Sequence, residues 1–98
     1  MAKTGVFDAA TYLDSREAIA AYLSEAFETR DPAFVTEALG TVARAQGMAA
    51  IARETGLSRE NLYKALSADG HPEFVTVMKV LDSLGLQLHA IPAAAEVA

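Results

Sequence analysis

At 98 residues the chain has room for one hydrophobic core and too little for two. It has no cysteine, which excludes disulfides and thiolate metal sites, and no apolar run near the roughly 20 residues that span a bilayer. The net charge of -5 disfavours strong nonspecific binding to nucleic acid, which depends on many phosphate contacts.

Residues 1–13 form an N-terminal segment expected to be partly ordered. It has no apolar signal-peptide core, and Phe7, Tyr12 and Leu13 anchor a short helical turn over FDAATYL. A cytoplasmic location follows as the default expectation. Asp14 is placed to cap the first helix, with Glu17 three residues on as in a capping box. Ala18, Ile19, Tyr22, Leu23, Ala26 and Phe27 then recur at helical spacing and predict a buried face. Glu17, Glu25 and Glu28 face outward, as a solvated surface or as a binding one.

Thr29-Arg30-Asp31-Pro32 stops that helix and starts the next, with Asp31 at the N-cap and Pro32 at N1. Phe34, Val35, Ala38, Leu39, Val42 and Ala43 give the second helix a broad apolar stripe. Gly40 within it predicts close helix packing. Gln46-Gly47 closes it.

The stretch 47–67, GMAAIARETGLSRENLYKALS, predicts two short helices. Met48, Ile51, Ala52 and Thr55 line one face of the first, Gly56 ends it, and Leu57 plugs the corner. Ser58 is the N-cap of the second, on which Leu62, Ala65 and Leu66 turn inward. Arg59, Glu60, Asn61, Tyr63, Lys64 and Ser67 face out. This is the helix-turn-helix pattern, though any pair of packed helices with a glycine corner shares it. Arg and Asn suit guanine and adenine edges, while Ser58 and Lys64 suit phosphate. Charge sides with DNA here. Residues 41–68 hold Arg44, Arg53, Arg59 and Lys64 against Glu54 and Glu60, whereas the thirds before and after are acidic.

Ala68-Asp69-Gly70-His71-Pro72 reads as a turn-rich loop whose proline begins the last helix, with Glu73 in its first turn. Phe74, Val77, Met78, Leu81 and Leu84 form the expected buried stripe and Gly85 the stop. Leu86 to Ile91 alternates apolar and polar and predicts a short strand, which would pair with a second copy or a partner. Residues 92–98 are expected to be a disordered tail, leaving residues 14–91 as the folded domain. His71 and His89 stand apart with no nucleophile, paired carboxylate or ligand cluster around them, so neither catalysis nor a cofactor is expected.

These residues carry a family resemblance. From about Leu39 to Leu88 the chain resembles the lambda-repressor-like (Xre, or Cro/C1-type) DNA-binding domain. YLDSREAIAAYL, GLSRENLYKALS and LDSLGLQLHA together resemble the small addiction module antidotes, the HigA-like antitoxins. The resemblance implies an all-α, five-helix lambda-repressor-like domain with a short C-terminal β-strand. It also implies as partners operator DNA, a RelE/ParE-like (HigB-type) toxin and a second copy in a homodimer. Matched residue by residue, Ser58, Arg59, Asn61, Tyr63 and Lys64 fall at the DNA. Many such domains start the first helix of the pair with a phosphate-binding Gln where this chain has Met48, so Gln46 or Arg53 is the expected substitute. Because RelE-type toxins are basic, the acidic helix with Glu17, Glu25 and Glu28 is the expected toxin-docking surface. Two rival readings are a stand-alone Xre-type repressor and a protein-interaction module of the same fold that has lost DNA binding.

Overall fold

A computed structural model describes residues 13–93 of the chain. It contains five helices: α1 (Arg16–Glu28), α2 (Pro32–Gln46), α3 (Met48–Thr55), α4 (Arg59–Ala65) and α5 (Phe74–Ser83). The turn expected over residues 7–13 lies, but for Leu13, outside the described residues, as does most of the tail expected at 92–98.

Three of these helices, α1, α2 and α4, start where a side chain satisfies an unpaired N–H group. The serine next to the expected cap does this for α1: Ser15 is extended (φ -141°, ψ 158°), and its hydroxyl accepts from Ala18 N at 3.0 Å. Asp14 is therefore one residue outside the cap and no capping box forms. Glu17 instead sits in the first turn, where the helix dipole favours an acid. Asp31 caps α2 as expected, accepting from Ala33 N at 3.1 Å, with Pro32 at N1.

The core is one cluster shared by all five helices, with Leu13, Leu39, Val42, Leu62, Leu66 and Val80 its most deeply buried large side chains. Leu13 is held there by its carbonyl, which accepts from Gln46 Nε2 at 3.0 Å. α1 packs on α2, α2 on α3, and α3 touches both α4 and α5. At Gly40 α2 lies close against the main chain of Leu66, just beyond the end of α4. A methyl group there would overlap the carbonyl oxygen of Leu66, so only hydrogen fits.

The last third departs from expectation in three ways. Glu73 is extended (φ -68°, ψ 153°) and is the N-cap residue of α5, so the helix begins at Phe74 and Pro72 stays in the loop. The buried stripe consists of Val80, Leu81 and Leu84 with Val77 beside them, whereas Phe74 and Met78 are exposed. Both stripes have helical spacing, and α5 packs chiefly on α3, so one neighbour can cover only one of them. Phe27 and Phe34, also expected inside, are partly exposed for the same reason: α1 and α2 turn their alanines and leucines inward.

The third departure is at residues 86–91, where no strand forms. A strand is a ladder of hydrogen bonds, and no second extended segment among the described residues offers one. The segment opens instead by closing α5. Leu86 N donates to Leu81 O at 3.0 Å and Gly85 N to Asp82 O at 3.0 Å, with Gly85 at φ 77°, which is the Schellman arrangement.

Candidate nucleic-acid interface

The α3–α4 pair is built as its residues require. Met48, Ile51, Ala52 and Thr55 are all buried on α3. The Thr55 hydroxyl donates to Ile51 O at 2.8 Å and accepts from Leu57 N at 3.3 Å, so a buried polar group is satisfied while it shapes the turn. Gly56 leaves α3 in the left-handed region (φ 77°), where a side chain would be strained. Leu57 packs partly buried at the corner. Ser58 accepts from Asn61 N at 3.0 Å and so starts α4.

On α4 only Leu62 is buried, with Leu66 just beyond its end. Arg59, Glu60, Asn61, Tyr63 and Lys64 are exposed, Tyr63 to 43%. At about 100° per residue, Arg59 and Tyr63 share one line along the helix, Asn61 and Lys64 share another, and Glu60 lies between them. The structure thus brings four of the expected side chains onto one solvent-facing arc. Ser58 stands at its start with the hydroxyl committed to the cap.

The two residues expected to replace the missing Gln behave differently. Arg53 is exposed on α3, on the side away from the core. Gln46 spends its amide N–H on the Leu13 carbonyl and works as a tie between the N-terminal segment and α2. Glu17, Glu25 and Glu28 are all exposed on α1, opposite the buried Ile19, Leu23 and Ala26. They lie on the far side of the sequence from α4 and share no hydrogen bond with it. Glu60 is the residue that the sequence argument set aside: it projects from the centre of the arc, and a carboxylate can accept from cytosine N4.

Fold and site define a small all-helical domain that presents one short, capped, polar helix to solvent. Comparison with known proteins carries this further. Residues 3–92 match the family model described as "Probable addiction module antidote protein". The chain belongs to that family of addiction module antidotes. It is also 51% identical, over 81 residues, to an uncharacterized protein of Haemophilus influenzae, covering 83% of this chain and 84% of that protein. No solved structure matches it. Membership implies a toxin as partner and a regulatory role. No helix among the described residues is long and apolar enough to cross a membrane.

Proposed function

We propose that the chain is the antitoxin of a type II toxin–antitoxin module. It neutralises a RelE/ParE-like toxin of the HigB type and represses its own operon through α3 and α4, which act as the helix-turn-helix of a HigA-like, lambda-repressor-like domain in the cytoplasm. The observation that carries the DNA half is the exposed arc of α4. Its four polar side chains are free of core contacts, and the helix bearing them is fixed from behind by Leu62 and Leu66. Arg59 and Asn61 read base edges, Lys64 and Arg53 meet phosphate, and Tyr63 packs along the groove wall. Two copies read a two-fold operator with half-sites about 34 Å apart or a multiple of that.

The test is a mobility shift with DNA from upstream of the gene, with and without the product of the adjacent gene. Specific binding that the neighbour's product alters is the expected result. Arg59→Ala or Asn61→Ala lowers operator affinity by about 1–3 kcal/mol and relaxes one base position, while Lys64→Ala weakens all sequences alike and flattens the salt dependence. Binding unchanged in both Arg59→Ala and Asn61→Ala removes α4 from the DNA.

The net charge of -5 favours a second reading, a module that binds the toxin without DNA. Toxin binding with no DNA shift selects it. In either case the acidic side of α1 is the proposed toxin surface, on grounds of charge. Reversing Glu17, Glu25 and Glu28 to Lys is expected to weaken toxin binding, and unchanged affinity ends that assignment.

A further inference from the structure

α4 carries one acid, Glu60, among Arg59, Asn61, Tyr63 and Lys64. Leu62, at 1% exposure, fixes the inward direction of the helix. Residues two apart on a helix stand about 200° round from each other, so Glu60 and Lys64 both project almost opposite Leu62. Arg59 and Asn61 point about 100° to either side of Glu60. Glu60 is the second residue of α4, one turn nearer its start than Lys64. Its carboxylate thus stands at the forward centre of the exposed arc, at the end that Ser58 caps.

That carboxylate is uncommitted. The side-chain hydrogen bonds at α4 belong to the serines that flank it: Ser58 Oγ accepts from Asn61 N at 3.0 Å, and Ser67 Oγ donates to Lys64 O at 3.0 Å. Among the described residues none engages Glu60, although Lys64 follows four residues on, the order that favours an ion pair. The helix dipole favours an acid in the first turn, but it favours one equally at the positions of Arg59 and Asn61. It does not account for an acid in the middle of the face.

Base chemistry does. A face that meets DNA is surrounded by phosphate, and an acid at its centre is repelled unless a donor answers it. A carboxylate only accepts hydrogen bonds. In the major groove guanine offers two acceptors, thymine an acceptor and a methyl group, and adenine a donor beside an acceptor. Cytosine alone offers a donor, its N4 amino group, with no acceptor of its own.

We infer that Glu60 selects a cytosine in each operator half-site and rejects sequences that lack one there, an inference that rests on the reading of α4 as the recognition helix. The same charge acts in both directions: it is attracted where N4 answers it and repelled by phosphate and by base acceptors everywhere else. A chain with net charge -5 has little general attraction to DNA, and Glu60 lowers it further at the point of contact.

The test is selection of bound duplexes from a randomised DNA pool by the full-length chain, Glu60→Gln and Glu60→Ala, with far-UV circular dichroism melts as the folding control. The wild type is expected to enrich cytosine at one position of each half-site, about tenfold over the other bases. Glu60→Gln moves that preference to adenine, whose N6 and N7 suit an amide, and Glu60→Ala leaves the position without preference. Both variants bind a duplex lacking the motif several-fold more tightly than the wild type, by a margin that shrinks as salt is raised. An acid that served only the start of the helix would change the melting temperature and leave the base preference where it was. A selected motif with no cytosine position, or one that both variants keep unchanged, overturns the inference. Loss of binding in Arg59→Ala then still leaves α4 at the DNA. No enrichment by any form, the wild type included, ends the operator reading itself and this inference with it.

Discussion

The outward faces of α4 and α5 are built on opposite terms. On α4 the apolar residues go inside, Leu62 at 1% exposure, and the polar ones stay in water. On α5 Val80 and Leu81 are buried while Phe74, Val75 and Met78 remain in water. A polar face loses nothing by standing bare and gains only from a ligand that matches its hydrogen bonds. An apolar face releases free energy whenever it is covered, whatever the detailed match. The first is therefore suited to reading a particular partner and the second to holding one.

That contrast breaks down if truncations on the two helices cost the fold alike. Leu62→Ala is expected to lower stability by about 2–5 kcal/mol in denaturant melts, through the cavity it leaves. Phe74→Ala is expected to stay within about 0.5 kcal/mol, as a surface change does. A large loss from Phe74→Ala would place that ring in the core of the single chain. Next in size is Gly40→Ala, expected to cost about 1–3 kcal/mol because its methyl overlaps the Leu66 carbonyl. A melting temperature equal to wild type would show that α2 and α4 separate easily. The helix caps are smaller again. Ser58→Ala and Ser15→Ala should each cost about 1 kcal/mol, and Asp14→Ala about nothing, which sharpens the comparison of α4 with α1.

What could be read from the sequence depended on whether a residue's task was local. The α3–α4 pair was legible almost residue by residue, because a glycine exit, a serine cap and a four-residue apolar face each act within one or two turns. Asp31-Pro32 was legible for the same reason. At Asp14-Ser15 two adjacent residues can both cap, and only the backbone angles decide between them. On α5 seven apolar residues in eleven positions, 74–84, allow two stripes of helical spacing, and the choice is made by where α3 lies. The segment 86–91 has the alternation of a strand, but a strand also needs a neighbour, which no alternation specifies. The candidate site was legible in its exposed side chains. Gln46 was not, since its hydrogen bond reaches 33 residues back to Leu13.

The contact of Gly40 with Leu66 sets the height at which α4 stands. It is made by main chain against main chain, with no side chain as a spacer. Residues on the arc can change without disturbing this seat, because the arc faces solvent and the seat lies behind it with Leu62 and Leu66. What α4 recognises can thus change on one scaffold, whereas Gly40 and Gly70, which lie off the arc, stand where a methyl group would overlap the main chain at the end of α4.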